Sequence, residues 1–239
     1  MEKFHPYLYL GFIPGFGEYP NILYSWVAMA FLITVSLLVT RTIQTIPAGA
    51  QNLLEALFDL VADFMEGTLG PEGKPYFPLV FTLGAYLYLN NVMGILPGFM
   101  SPTSNVNTNI GCALTVFIAT HYVGFKKSGW GYAKHFTGPI IWLAPLMVPI
   151  ELISHLARPL SLTLRLFGNI TGEDLVLAVL MLLCLQALLP LPWAMQLFAI
   201  FGSFIQAFVF VLLTMIYIAG SLEGHEHGEE HGHEGAHAH

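Results

Sequence analysis

The stretch from Thr137 to Leu189 leaves this chain few folds to choose from. It is almost continuously apolar, yet it carries Arg165 in its interior, within PLSLTLRLFGN (Pro159 to Asn169). An apolar run this long exceeds the about 20 residues that cross a bilayer core. A guanidinium stays protonated at any biological pH, and placing one at mid-bilayer depth costs at least roughly 2.5–3.5 kcal/mol. Such a residue marks a function by default and calls for a partner. The composition fits a membrane setting: 55% of the residues are hydrophobic and 10% charged, where soluble domains carry about 25% charged residues.

Other apolar segments fall at about Ile22–Thr40, Tyr76–Leu96, Asn109–Phe125 and Trp193–Gly220. Between the first two lies Pro47–Gly70, in which Glu55, Asp59, Asp63 and Glu66 share one side and Leu54, Leu57, Phe58, Val61 and Met65 the other. That is the pattern of an amphipathic helix. Four acids make it a poor span, so it is expected on the membrane surface or against a partner. Pro139, Pro145, Pro149 and Pro159 interrupt Thr137–Leu189, which can be read as two helices or as one long, steeply tilted helix. With one crossing there, the expected fold is an all-α polytopic membrane protein. It has about five membrane-embedded helices, including a long tilted helical hairpin, and one amphipathic surface helix. Arg41, Lys74, Lys126, Lys127 and Lys134 then share one side with the C-terminal tail, and Lys3 lies opposite. The positive-inside rule places that side in the cytoplasm and the N-terminus outside. Two crossings would move the tail outside without disturbing the lysine bias.

The net charge of −7 says little about partners, because Glu223, Glu226, Glu229, Glu230 and Glu234 all lie in the last 17 residues. The tail HEHGEEHGHEGAHAH holds six of the ten histidines. With no large apolar residue to drive folding it reads as solvated and disordered, with metal binding the competing reading. Cys112 and Cys184 both fall in apolar segments and read as small buried hydrophobes. Lys3 is followed by aromatics, Gly and Pro, without the compact apolar region of a signal peptide. The chain organises as a single membrane domain, 1–239. Its parts are an external segment 1–21, the amphipathic helix 47–70, a helical hairpin 137–220 and a tail 221–239.

At about 100° per residue, Glu151, Arg158, Ser161 and Asn169 each fall within about 40° of Arg165, and the run from Glu151 to Arg165 covers roughly 21 Å of helix. That face, with Leu162 beside it, is expected to meet a partner. Asp174 points about 180° away from Arg165, and Glu173 about 80°. No acid stands three or four residues from Arg165, and the other spans contain no Asp or Glu. The last span offers Gln206, a neutral partner. A carboxylate on another protein is the simplest counter-ion.

SLTLRLFGN and the last-span SFIQAFVFVLLTMIY resemble subunit a of F-type ATP synthases, bacterial and chloroplast. The resemblance extends to NNVMGILPGF, PTSNVNTNIGCAL and IELISHLARPLSLTLR, and covers most of the chain from Pro47 onward. It implies a stator subunit of the F0 sector in a bacterial inner membrane, which forms two offset aqueous half-channels beside a rotating ring of c subunits. The 137–220 hairpin would form those channels. By the same resemblance, Arg165 faces the ring carboxylates with Gln206 nearby, and Asp174, with Glu173 adjacent, is the half-channel acid. Glu151, Ser154 and Asn169 match further acid and polar positions, and Ser161 and His155 adjoin them. Some relatives carry a His upstream of the Gln; Gln196 and Ala199 occupy that neighbourhood here. Implied partners are the c-subunit ring, the subunit b peripheral stalk, the rest of the F0F1 complex and the lipid bilayer, with no nucleic acid. No cofactor, metal or catalytic residue is expected. Proton or sodium coupling stays open, because the ion-selecting carboxylate lies on the partner.

The physics of Arg165 agrees with this role. A ring carboxylate in lipid prefers its protonated form, and a fixed cation favours ionisation and proton release beside it. Arg165 cannot carry protons itself. His155 can serve as a hydrogen-bonded structural imidazole or as a relay. A stand-alone secondary transporter would be expected to show internal repeats, and the two halves show none. No GxxxxGK[ST] occurs, so ATP chemistry is not expected of this chain.

Overall fold

The computed structural model of the chain describes residues 20–41, 49–96, 99–129, 144–187 and 191–223. Expectations for the N-terminal segment, the loop with Lys134, the turn at Pro190 and the His-rich tail lie outside these residues. Six α-helices make up nearly all of the described chain: α1 Pro20–Arg41, α2 Ala50–Leu69, α3 Phe77–Ile95, α4 Val106–Ser128, α5 Ala144–Ala187 and α6 Leu191–Glu223. Short 3-10 turns at Pro71–Tyr76 and Pro102–Ser104 lead into α3 and α4, and no strand occurs among the described residues. All the helices but α2 are long and apolar enough to cross a membrane. Helices suit such segments because each satisfies its own backbone polar groups where no water can. The chain is a multi-pass membrane protein.

The apolar stretch around Arg165 is one helix, not two. α5 has 44 residues and is about 66 Å long. Against a hydrocarbon core of about 30 Å it lies steeply tilted or extends beyond the core. Pro149 and Pro159 stand inside it without ending it. Thr163 Oγ1 donates to the Pro159 carbonyl at 2.8 Å, one side chain bonding the backbone beside a proline.

The core is a four-helix arrangement of α3, α4, α5 and α6. Leu87, Ala113, Val116, Leu162, Leu166 and Phe210 form its centre. α3 and α6 pack tightly at Gly84, where an added Cβ would meet Val211 Cγ2 at 2.6 Å. At one end of the bundle, Met65 and Leu69 of α2 pack on Val80, Val123, Met215 and Ile218. Phe58 of α2 adds an edge contact to Phe81, with ring centroids 4.5 Å apart. So the apolar side of α2 docks on α3 and α6, while Glu55 accepts a hydrogen bond from Gln51 at 2.7 Å. Lys127 and Glu72 form an ion pair at the same end. α1 stands at the edge: Tyr24 and Ala28 are buried against Met93, and most of its remaining surface is exposed and apolar.

The opposite end is tied by polar groups. Gly94 leaves room for the returning chain, since a Cβ there would lie 2.6 Å from Ser101 Cβ. Thr103 Oγ1 donates to Asn91 Oδ1 at 2.7 Å, and Asn109 Nδ2 donates to the Thr103 carbonyl at 2.8 Å. The Asn105 side chain caps α4 by accepting from Asn107 N at 3.0 Å. Gln196 of α6 donates to the Ile95 carbonyl at 2.7 Å, satisfying an acceptor at the C-terminus of α3.

Candidate functional site

α5 presents three kinds of surface around Arg165. Its inner face carries His155, Leu162, Leu166 and Ile170, all buried. Leu162, expected beside a partner-facing stripe, is only 2% exposed and packs in the bundle centre. The correction has a simple cause: Leu162 lies about 60° from Arg165 on the helix wheel, on the side that α4 and α6 cover. Arg165 itself is half-buried at the edge of that covered side. Among the described residues no carboxylate lies within ion-pair distance of it. Beyond Arg165 the helix is open. Ser154, Ala157, Ser161, Gly168 and Gly172 are exposed, and an added Cβ at Gly168 or Gly172 would meet nothing within 4 Å.

Two members of the expected stripe also reach α6. Asn169 Nδ2 donates to Gln206 Oε1 at 2.5 Å, and Gln206 is buried on α6. The Arg158 guanidinium lies 5.3 Å from the ring centre of Tyr217, also on α6, in cation–π geometry. Asn169 and Gln206 thus come together one turn from Arg165.

Two clefts open along α5, one on each side of the level of Arg165. The first holds about 270 Å³ of empty space and is lined by His121, His155, Arg158, Pro159 and Tyr217. Here Glu151 Oε1 lies 3.3 Å from His155 Nε2. The second holds about 400 Å³ and is lined by Asn91, Ser101, Glu173, Asp174 and Gln196. Asp174 is exposed at its rim. Glu173 is turned toward α6, with Oε1 3.4 Å from where a Cβ on Gly202 would sit. The clefts share no lining residue. Leu166, Ala207, Phe210 and Leu87 stand between them as part of the bundle centre.

Buried polar atoms gather near the second cleft. Both side-chain polar atoms of Asn90, Asn109 Oδ1 and Ser203 Oγ are buried without a hydrogen-bond partner among the described residues. Atoms of this kind are where internal water binds. Ser203 stands three residues before Gln206 on the buried side of α6.

The structure therefore groups Glu151 with His155, Asn169 with Gln206, and Glu173 with Asp174. Ser154 and Ser161 stand on the open face with Arg165. His121, Asn90, Asn109, Ser203 and Tyr217 were given no role by the sequence reading. His121 carried a signal, being an ionisable residue within a span. No group of three His, Cys, Asp or Glu side chains among the described residues is placed to hold a metal ion.

Residues 22–219 match the family described as ATP synthase A chain. Among similar proteins, "ATP synthase subunit a 3" of Pelobacter propionicus is 48% identical over 227 residues, covering 92% of this chain and 98% of that protein. ATP synthase subunit a of Geobacter sulfurreducens is 48% identical over 227 residues, with the same coverage of 92% and 98%. ATP synthase subunit a of Citrifermentans bemidjiense is 48% identical over 231 residues, 93% of this chain and 99% of its own length. With that match running from α1 nearly to the end of α6, this chain belongs to the ATP synthase subunit a family.

Proposed function

We propose that this chain is the proton-channel stator subunit of an F0 sector, not catalytic alone, and that Arg165 couples proton movement to rotation of a c-subunit ring. The observation that carries this reading is the setting of Arg165. It is a permanent cation half-buried on a membrane helix, with no ion-paired carboxylate among the described residues, beside a face of small residues open to contact. Small residues let another helix approach closely in a bilayer. A ring helix on that face would bring its carboxylate to Arg165.

In this reading the two clefts are half-channels. The one at the Glu173 and Asp174 end opens outward, and the one at the His155 and Glu151 end opens to the cytoplasm. The orientation follows from Lys74, Lys126 and Lys127, which lie toward the His155 end and belong inside. A ring carboxylate protonated from one cleft travels through lipid as a neutral group. Near Arg165 its ionised form is stabilised, and the proton leaves into the other cleft. The unpartnered groups of Asn90, Asn109 and Ser203 support a water route from the outer cleft toward Gln206 and Asn169. Leu166 and Phe210 keep the two water bodies apart, and the Arg165 charge repels a proton crossing between them. The stator position also calls for a subunit b stalk, and the site for a bacterial inner membrane with the N-terminus outside.

Ser161→Cys and Gly168→Cys, each paired with a cysteine on the ring helix, test the placement. Disulfide crosslinks in the assembled complex are expected from both. Crosslinks confined to the Leu162 side, with none from positions 161 and 168, would defeat it.

A further inference from the structure

The cytoplasmic cleft contains more titratable chemistry than a passive water path needs. His155 is 6% exposed on α5, and His121 faces it from α4 with ring centroids 5.2 Å apart at an interplanar angle of 67°. His121 Nδ1 lies 2.9 Å from the Phe117 carbonyl. A carbonyl oxygen only accepts, so that nitrogen carries a hydrogen, and in the neutral ring the lone pair sits on Nε2. Glu151 Oε1 is 3.3 Å from His155 Nε2. The remaining charged or titratable groups lining the cleft are Arg158 and Tyr217, and the Arg158 guanidinium is held over the Tyr217 ring, with its centre 5.3 Å from the ring centroid.

We propose that His121 and His155 form a two-imidazole proton relay along this cleft, linking the level of Arg165 to the cytoplasmic water. The inference rests on the half-channel reading above and names the groups that would move protons in one half. In the release direction, a proton arriving through cleft water binds a ring nitrogen of His155. The imidazolium passes a proton to the Glu151 carboxylate or, across a bridging water, to Nε2 of His121. Protonated Glu151 gives its proton up to inner water, or His121 does so at Nε2 and keeps its Nδ1–H on Phe117 throughout. Each ring ends neutral, and one proton has moved.

Position suits this task. His155 stands ten residues before Arg165 on α5, about 15 Å along the axis, and His121 stands seven before the end of α4, about 10 Å. Imidazole is also the side chain whose ordinary titration range lies nearest neutrality, so it can load and unload at cell pH. Simple packing is the competing explanation, since the rings meet in an edge-to-face geometry that apolar rings would fill as well.

The test uses the intact complex in inverted membrane vesicles. His155→Gln, His121→Gln and the double variant are compared for ATP-driven proton pumping and for passive proton conductance after removal of the F1 sector, over a range of bulk pH. Each single variant is expected to lower the proton rate by about 10-fold and to flatten its pH dependence near neutrality, because a titratable relay has been lost. Imidazole added to the medium bathing the cytoplasmic face should restore part of the rate. An unchanged rate and pH profile in the double variant overturns the relay. So does a loss that is uniform across pH and insensitive to imidazole, or a failure of both single variants to retain the ring. Arg165→Ala in the same vesicles separates the two levels of inference. Synthesis surviving Arg165→Ala would bring down the half-channel reading itself, whereas its loss beside an unaffected histidine variant removes only the relay.

Discussion

The two clefts along α5 are lined by opposite chemistry. At the His155 end stand two imidazoles and a guanidinium, packed among Pro159, Leu162 and the Tyr217 ring, with the Glu151 carboxylate 3.3 Å from His155. At the Asp174 end stand two adjacent carboxylates with amide and hydroxyl groups, next to several buried polar atoms without a hydrogen-bond partner among the described residues. The first sets its ionisable side chains against one another, and the second sets two carboxylates among amides and hydroxyls that bond within the protein. The difference suits a path whose two halves face different solutions. In the proposed path, carboxylates would take protons from one solution and imidazoles would release them to the other. Arg165 stands at the level where neither cleft continues.

Removing that boundary is expected to have the largest effect. Arg165→Ala should lower proton-driven ATP synthesis by at least about 100-fold, the scale for losing a preorganised charge at a reacting centre. Vesicles carrying it should also leak protons, since nothing charged would separate the clefts. Arg165→Lys should fail largely as well, because an ammonium is a compact point charge that loses its proton more readily when buried. Normal synthesis with Arg165→Ala would mean that the clefts are not divided by this charge at all.

The outer carboxylates come next. Glu173 turns toward α6 and Asp174 sits at the rim, so either can exchange protons with cleft water. Asp174→Asn should slow flux severely with assembly intact, Glu173 giving partial backup. Asp174→Glu and Asp174→His should keep measurable activity, because each retains a titratable group. The double variant Glu173→Gln, Asp174→Asn should lose more than about 10-fold. Wild-type flux in that double variant would move the entry route away from this cleft.

A third variant probes what lies between the clefts. Leu166 is fully buried in the apolar centre. Leu166→Ser removes most of its volume and adds a hydroxyl able to hold water. A truncation of this kind costs about 2–5 kcal/mol of stability, and passive proton conductance should rise several-fold in assembled complexes. A complex of unchanged conductance would leave Arg165, not the apolar packing, as the sole barrier.

How much of this could be read in the sequence follows from what helical periodicity encodes. The period gives angles about one axis, so α2, the five apolar spans and the half-turn between Arg165 and Asp174 were all legible. It does not say which neighbour covers a given angle. Periodicity therefore sets Leu162 beside the partner-facing stripe although it packs in the bundle centre, and it does not reveal the hydrogen bond between exposed Asn169 and Gln206. His121 and His155 lie on different helices, and only packing brings them together. Whether Thr137–Leu189 crosses once or twice turned on prolines, which membrane helices tolerate when nearby groups bond the freed backbone. Asn90, Asn91, Asn109 and Ser203 carry ordinary side chains whose meaning comes from burial alone.

The smallest expected effect separates two roles for Gln196. It lines the outer cleft and lies in the neighbourhood where some relatives place a histidine, which would suit a relay. Its amide, however, is already donated to the Ile95 carbonyl at 2.7 Å, and an amide does not titrate. The geometry favours a fastening role: Gln196 holds the start of α6 against the end of α3 while the carboxylates handle protons. Gln196→Ala should then cost about 1–2 kcal/mol, the scale for a carbonyl left without its hydrogen bond. A lowered Tm of the purified complex would register that loss. Proton flux at ordinary temperature should stay within about two-fold of wild type, far above that of the Glu173 and Asp174 double variant. Flux falling to the level of that double variant, with Tm unchanged, would make Gln196 an essential water-holding link and extend the conducting wall of the outer cleft onto α6.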